Sequence, residues 1–315
     1  MEKTFIYNSQ NKKRIDKFLV EKIAGFSRST FQKFIKEGKI LVNQKRVCPD
    51  YLLKKEDIVE IKIKKQKELT PQKGEIEIIF ENKNFLVINK PAGLIVHPTA
   101  NHLQNTLVNF LLYQYPEIRK VGENKLRPGI VHRLDKDASG LLVIARNQNA
   151  FKHLKKQFLN HLVKKEYLIL VYDWLKEKEG EISSPISRSK GLKMNILTGK
   201  KWRTALTKFQ LKDYYLNPNN QKEKYSLVRV ETKTGRTHQI RVHFKSIGHP
   251  IVGDKIYRFK KFKQPKNFST LFLCAVKLGF FDLKNQWREF QISLPKNLKE
   301  FLKNLIRIDK KENLV

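Results

Sequence analysis

The chain has 315 residues, and its 65 Lys and Arg against 30 Asp and Glu leave a formal net charge of +35. Such a surplus attracts a polyanion non-specifically, so nucleic acid is the first candidate partner, even though a bias toward Lys accounts for part of the magnitude. The only cysteines, Cys48 and Cys274, form no Cys-x-x-Cys or His/Cys cluster, and no apolar run nears the roughly 20 residues of a membrane span, so a disulfide framework, a zinc site and a membrane anchor are all disfavoured. Met1-Glu2-Lys3-Thr4 lacks the apolar core of a signal peptide, and a cytoplasmic, monomeric, globular protein with one large domain and one small one is expected.

In chain order, residues 1–12 read as an N-terminal extension. Arg14 to Val20 spaces its apolar residues for a helix, Ser27 opens a second one through Phe31, Phe34 and Ile35, and Gly38 ends it. Ile40 to Val47 has the pattern of a hairpin, and Ile58 to Ile63 alternates as a half-buried strand. Arg28, Gln32, Lys33 and Lys36 flank the apolar face of the second helix, either to track phosphates or as a plain solvated basic face. The order Arg14-Ile15-Asp16-x-Phe-Leu, Ser27-Arg28-Ser29, Ile35-x-x-Gly38-x-Ile-x-Val42-Asn43, Asp57-x-Val resembles the alpha-L RNA-binding motif of a small-subunit ribosomal protein, over residues 14–62. It departs at Glu56, where that family has Gly, a change expected to alter the turn and not the RNA-facing helix. The resemblance implies a small α/β RNA-binding domain over residues 13–63, with Arg14, Arg28, Gln32, Lys33 and Lys36 as RNA contacts. Residues 64–74, poor in apolar side chains, read as a linker.

A second domain is expected over residues 75–307, with a tail at 308–315. It opens with a hairpin, Ile76 to Phe80 and Phe85 to Asn89. Lys90-Pro91-Ala92-Gly93 then forms a rigid turn expected to present Lys90 and His97 at a sheet edge. An amphipathic helix, Thr106 to Tyr115, leads to the most informative stretch, Gly129 to Arg146. Here His132, Arg133, Asp135, Lys136 and Asp137 crowd against an apolar strand, Leu141 to Ala145, with Gly140 supplying backbone freedom at the junction. Ionised groups are costly beside a core, so the crowding points to a site; the plainer alternative is a loop with surface ion pairs.

Asn149 to Leu162 reads as a helix turning Phe151, Leu154, Phe158 and Leu162 inward. Tyr167 heads the strand Lys165 to Tyr172, either as a core aromatic with a wet hydroxyl or as a ring that stacks on a base; the residues alone favour the core. Strands are expected at Arg203 to Ala205, Phe209 to Leu211 and Tyr225 to Thr232, the last closed by the turn Lys233-Thr234-Gly235. Thr237 is the expected N-cap of a helix stopped by Gly248, with Ile240, Phe244 and Ile247 inward and His238 and Arg241 sharing a face. His238 and His243 lack the i, i+4 spacing of a helical zinc pair. Closing strands, Leu271 to Phe281 and Glu289 to Leu294, precede a basic amphipathic helix, Leu298 to Ile308, and frayed last residues.

Three separated pieces, His132-Arg133-Leu134-Asp135-x-x-Ala138-Ser139-Gly140-Leu141-Leu142, Lys165-x-Tyr167 and Gly235-Arg236-Thr237-His238-Gln239-Ile240-Arg241-x-His243, resemble the defining motifs of the ribosomal large-subunit pseudouridine synthases. The resemblance covers residues 14 to about 300, including Lys90-Pro91-x-Gly93. The His-Arg-Leu-Asp-Lys-Asp form and Val96-His97-Pro98 are most similar to the subgroup that modifies the rRNA stem-loop bridging the two subunits, from which Ala138 departs in place of Thr.

The resemblance implies an α+β fold: the small RNA-binding domain, then a mixed, mainly antiparallel β-sheet domain with flanking helices and a central cleft. It implies isomerisation of a uridine within structured RNA, most naturally large-subunit rRNA, without cofactor or metal. Asp135 would be the nucleophile, Arg241 would pair with it through forked donors and hold it ionised, and Tyr167 would stack on the uracil. Arg133 would fill the gap left by the extruded base, Leu278 would floor the pocket, and His132, Lys90, Arg236 and His238 would complete the substrate-binding set. A kinase is excluded, since Leu134 separates His-Arg from Asp and neither a Gly-rich loop nor Asp-Phe-Gly is present. A noncatalytic rRNA-binding or assembly factor, or a synthase acting on tRNA, remains as the alternative.

Overall fold

The structure, a computed structural model, describes the chain apart from residues 1, 24–25, 63–68, 100–101, 189–193, 197–201, 266–267 and 309–315. The chain divides into two units, Met1–Glu68 and Leu69–Val315, each with its own apolar core.

The first unit contains β1 (Glu2–Ile6), β2 (Lys13–Arg14), α1 (Ile15–Lys22), α2 (Arg28–Lys36), β3 (Ile40–Val42), β4 (Leu52–Leu53) and β5 (Ile58–Lys62). Ser27 caps α2 by accepting the Thr30 N–H at 3.3 Å, satisfying a donor that the first helical turn leaves free. Phe31 and Ile35, one turn apart, join Ile15, Phe18, Leu19, Val59 and Ile61 in the core, each such side chain contributing about 1.5–3 kcal/mol. Residues 2–6 are not a loose extension, because β1 pairs antiparallel with the whole of β5.

The hairpin expected at Ile40 to Val47 is reduced to a tight turn. Asn43 and Gln44 both take positive φ, 49° and 63°, and only Val42 and Lys45 bridge across it. The reason lies in β5, which takes up the ladder of β3, while the Asn43 carboxamide donates to Asp57 and accepts the Ile58 N–H, both at 2.8 Å. Glu56, standing where the resembling family has Gly, adopts φ 71°, a conformation that costs an L-residue on the order of 1 kcal/mol.

The second unit begins inside the expected linker. Residues 64–68 lie outside the described residues, but Leu69 is buried with Val108 and Leu112, and Thr70 and Gln72 bond to Asn109. Its elements are β6 (Glu77–Glu81), β7 (Phe85–Lys90), α3 (Leu107–Gln114), β8 (Ser139–Ala145), α4 (Gln148–Leu159) and β9 (Lys164–Tyr172). There follow β10 (Glu179–Ile182), β11 (Ile186–Arg188), β12 (Met194–Ile196), β13 (Trp202–Arg203), β14 (Thr207–Asn217), β15 (Asn220–Thr232) and α5 (Gln239–Ser246). The unit closes with β16 (Leu273–Phe281), β17 (Trp287–Gln291), α6 (Lys296–Lys303) and β18 (Ile306–Ile308).

A ten-stranded sheet runs β10-β14-β15-β9-β16-β8-β7-β6, with β17 beside β16 and β18 beside β14. Its strand pairs are antiparallel except β8 with β16, which matches the mixed, mainly antiparallel sheet expected. β8 is buried along its entire length, and α3 and α4 contribute Leu107, Leu111, Phe151 and Leu154 to the same core. β11, β12 and β13 form a separate small sheet whose Ile186 packs with Val242 of α5 and with Tyr257.

Several local expectations are corrected. α4 stops at Leu159, because His161 turns left-handed at φ 58°, and Leu162 is exposed. α5 starts at Gln239, not after Thr237, because His238 sits at φ 55° and ψ 22°, outside the helical region, and Ile247 is exposed. The terminal helix ends at Lys303, and Ile306–Ile308 pairs with β14 as a strand instead of extending it. The frayed tail expected at the last residues lies outside the described residues.

Candidate active site

The site is organised where β8 and β16 run parallel. Ala275 lies opposite Gly140, which has φ 114°, and a Cβ there would come within 2.3 Å of the Ala275 carbonyl oxygen, so only glycine permits the approach. β9 flanks β16 on the other side and sets Tyr167 opposite Ala275. The loop that feeds β8, the first third of β9 and the segment between β15 and α5 therefore converge. They enclose an open pocket with about 100 Å³ of free volume, lined by Asp135, Tyr167, Thr232, His238, Arg241 and Leu273 among others. Cavities of about 150 Å³ are known to hold a single six-membered ring, so the space is of the order of one flat ring only, with the rest of any nucleotide outside its open mouth.

Lys90 is not presented at an edge, as the sequence suggested, but is fully buried. Its ammonium donates to the carbonyls of Pro91 at 2.7 Å, Leu94 at 2.9 Å and Lys136 at 3.0 Å. Burial pulls the amine down to about 7, with the charges of Asp137 and Asp135 acting the other way. Three acceptors match the three donors of the charged form, so the ammonium is the species this cradle fits. Lys90 thus ties the end of β7 to the residue that follows Asp135. His97 is also buried, with Nδ1 against the Pro98 carbonyl at 3.2 Å.

Asp135 lies half-buried at the pocket, and its Oδ2 accepts from Arg241 Nη1 at 3.2 Å. The expected forked contact goes elsewhere: Arg241 Nε and Nη2 grip Asp254 at 2.7 and 2.8 Å. Asp254, fully buried, also accepts the Ile256 and Tyr257 N–H groups at 2.8 and 2.9 Å. Burial opposes both charges, but the pairing prevails: the bonds and charge of Asp254, then of Asp135, raise Arg241, while those of Arg241 hold Asp254 below the usual carboxylate range. Arg241 also lies over the Tyr257 ring, 5.2 Å from its centre.

His238 and Arg241 do reach one pocket, although only Arg241 is helical. His238 Nδ1 meets the Tyr257 hydroxyl at 2.9 Å, and Nε2 stands 3.9 Å from Asp135 Oδ1. Burial lowers the imidazole's affinity for a proton, which makes that second contact a dipole facing a carboxylate and not an ion pair. Tyr167 lines the same wall; burial pushes its phenol up to about 12, the Thr232 hydroxyl offsetting a part and the Asp135 charge adding to it. It is therefore a neutral ring and a proton donor at physiological pH, not a base. Arg133 is exposed at the mouth, and Arg236 lines the pocket while its Nε donates to the Thr204 carbonyl at 3.0 Å.

Besides Lys90, two sequence-derived residues are not brought to the pocket. Leu278 is a core residue, five positions beyond Leu273 along β16 and hence about 16 Å away; Leu273 lines the pocket instead. His132 stacks on Phe158 with ring centres 4.4 Å apart, and its Nε2 accepts the Val143 N–H at 3.0 Å. Burial, with the Lys165 charge adding to it, pulls this imidazole down to about 3. His132 is a structural part of the loop anchor. Asp254 and Tyr257 escaped notice in the sequence, although an Asp directly after the apolar Ile251-Val252-Gly253 is a signal of a paired, buried carboxylate.

In the first unit, Arg14, Arg28 and Gln32 converge on the buried Asp16, at 3.0, 2.9 and 2.7 Å from Oδ2. Burial alone would raise Asp16, but these donors hold it well below the usual carboxylate range. Their side chains are thus oriented by an internal anion, with Arg14 and Arg28 still 37% and 46% exposed, while Lys33, 3.7 Å from Glu37, and Lys36 are exposed on α2.

These features agree with the comparisons to known proteins. A family model described as RNA pseudouridylate synthase matches residues 84–246, and one described as S4 domain matches residues 13–59. An uncharacterized RNA pseudouridine synthase of Aquifex aeolicus is 38% identical over 295 residues, covering 91% of this chain and 92% of that protein. A ribosomal large subunit pseudouridine synthase D of Zymomonas mobilis is 34% identical over 306 residues, covering 93% and 94%. Among solved structures, human RNA pseudouridylate synthase domain containing 1 superposes with a TM-score of 0.61 at 26% identity, over 76% of this chain and 91% of that one. The chain therefore belongs to the RNA pseudouridine synthases, as a member with an S4 domain ahead of its catalytic domain.

Proposed function

We propose that this enzyme isomerises particular uridines of large-subunit ribosomal RNA, with Asp135 as the nucleophile and without a cofactor. One observation carries the reading: a carboxylate lining an open pocket has one oxygen on Arg241, and the other, Oδ1, has no hydrogen-bond donor among the described residues. A carboxylate so oriented can add to the ribose or the uracil and leave again. The bond between C1′ and N1 breaks, the base turns, and C1′ rejoins through C5, which loses its proton while N1 gains one. No oxidant, reductant or co-reactant is needed, because product and substrate have the same atoms.

Arg241 holds Asp135 in register, and Tyr167 packs against the uracil, its neutral phenol available to donate. Arg133, exposed beside the pocket, takes the place of the extruded base, offsetting an unstacking cost of a few kcal/mol. The ribosomal target is supported by relatives named ribosomal large subunit pseudouridine synthase D in Zymomonas mobilis and Borreliella burgdorferi. In the S4 unit, Lys33, Lys36 and the exposed edges of Arg14 and Arg28 contact phosphates, and Gln32 completes the cluster. The work is done in the cytosol, where ribosomal RNA is found.

The test is to map pseudouridines in ribosomal and transfer RNA of cells with and without the protein, restoring either the wild type or Asp135→Asn. Sites in large-subunit rRNA that return only with the wild type are expected. Sites confined to tRNA would move the target, and full restoration by Asp135→Asn would end the assignment of the nucleophile.

A further inference from the structure

We propose that the His238 imidazole donates a hydrogen bond to the substrate from Nε2, that Tyr257 holds it in the tautomer able to do so, and that the acceptor is a uracil carbonyl oxygen. The proposal rests on the uridine-isomerase reading above and adds a residue role to it.

Hydrogen-bond accounting at Tyr257 decides the tautomer. The phenol oxygen accepts the Met194 N–H at 2.8 Å and meets His238 Nδ1 at 2.9 Å. A phenol has a single proton, and among the described residues no carbonyl or carboxylate is bonded to that hydroxyl to receive it. The proton goes to the imidazole nitrogen, so Nδ1 is an acceptor and a neutral ring carries its own proton on Nε2. The ring stays neutral because burial dominates its surroundings: Asp135 and Asp254 favour the proton, Arg241 and Arg133 oppose it, and the balance lies below the ordinary histidine value. Tyr257 is itself fixed, since its backbone N–H bonds to Asp254 and its ring lies under the Arg241 guanidinium.

Backbone geometry points the same way. His238 holds φ 55° and ψ 22°, a left-handed conformation that glycine would adopt without strain. A side chain kept where glycine is easier has work to do there, and this one lines the pocket.

The position of Nε2 indicates the work. At 3.9 Å from Asp135 Oδ1 it is too far for a hydrogen bond, and among the described residues Oδ1 has no donor at all. The N–H therefore points into the space next to the attacking oxygen, where the bond between ribose and base must lie. When that bond breaks, the departing uracil holds negative charge on its carbonyl oxygens. A fixed neutral donor stabilises that charge without being consumed. Three of the five Arg241 N–H groups are committed to Asp254 and Asp135, which holds the guanidinium on the two carboxylates and leaves His238 as the neutral donor beside Oδ1. No proton changes hands in this interaction, so the balance of the isomerisation is unaltered.

The experiment uses the full chain and an in vitro transcript of large-subunit rRNA. Two-bond proton–nitrogen NMR correlation of the imidazoles is expected to show His238 with Nε2 protonated in the wild type, and exchange between tautomers in Tyr257→Phe, which keeps the ring but loses the hydroxyl. Under single-turnover conditions with saturating enzyme, His238→Leu should lose about 10²–10³-fold in rate, the usual effect of deleting one donor to a developing anion. Tyr257→Phe should lose about tenfold, the worth of one neutral hydrogen bond. RNA affinity should stay within about threefold in both, and His238→Gln, which restores an N–H at similar reach, should recover at least about tenfold over His238→Leu.

A wild-type His238 protonated at Nδ1 overturns the proposal, as does an unimpaired His238→Leu or a loss confined to RNA affinity. If instead the wild type makes no pseudouridine in any RNA while the tautomer is as stated, the uridine reading falls, and the acceptor assignment with it.

Discussion

Arg241 gives two donors of its guanidinium to Asp254 and a single N–H to Asp135. The buried Asp254 therefore aims the arginine, and the arginine aims Asp135, the proposed nucleophile. A lysine has one point of charge and cannot span both carboxylates.

Arg241→Lys is thus expected to lose at least about 100-fold in single-turnover rate, as a displacement of about 1 Å does in such sites, despite keeping the charge. Asp254→Ala leaves a buried guanidinium short of its main partner and should cost about 3–5 kcal/mol in urea unfolding as well as activity. A wild-type rate in Arg241→Lys would show that Asp135 needs only a nearby positive charge.

Lys90→Met fills similar space but deprives the carbonyls of Pro91 and Leu94 of this donor and leaves that of Lys136 with the Gly93 N–H alone. Each buried acceptor left without a partner costs about 1–3 kcal/mol, so the variant should unfold at clearly lower urea concentration. Because one of those carbonyls belongs to the residue next to Asp135, the rate should fall further than RNA affinity does. Equal losses in both would place Lys90 in RNA binding.

His132 gives the stability an acid limb above the carboxylate range. Its folded value is about 3 against an ordinary 6.5, so the unfolded chain binds the extra proton between those values. Its contribution is fully present above pH 6.5 and is lost as pH falls toward 3, with a slope approaching about 1.4 kcal/mol per unit at most. Urea unfolding of the wild type and His132→Gln from pH 7 to about 4 should show this slope in the wild type alone. Parallel curves would mean that His132 is free to take up its proton in the folded chain.

A chain beginning at Leu69 should fold and retain isomerisation of an accessible uridine at high concentration. One beginning at Gly74 loses the buried Leu69 and the bonds of Thr70 and Gln72 to Asn109, and should be less stable by about 1.5–3 kcal/mol or more. Both should bind rRNA more weakly and with a shallower salt dependence than the full chain, having lost the phosphate contacts of the S4 unit. An unchanged salt slope would remove Lys33 and Lys36 from the RNA contacts, and equal stability of the two truncations would make the Leu69 contacts dispensable.

The sequence by itself determined whatever is written in short-range pattern. Apolar spacing and caps located α1, α2, α3 and the buried β8, and the resemblance of three motifs to a family pointed to Asp135, Tyr167 and Arg241, where the residues alone favoured a core role for Tyr167. Only the tertiary structure decided which groups meet. Lys90 reads as a turn residue until its carbonyl acceptors, one of them 46 positions away, close around it. His132 reads as a ligand until Phe158 and the Val143 N–H claim it. Asp254 and Tyr257 belong to no local motif; they matter because a buried guanidinium and an imidazole need partners, and the fold brings those partners from 13 and 19 residues away. Hydrogen-bond satisfaction in a dry interior is a property of the assembled chain, which local pattern does not carry.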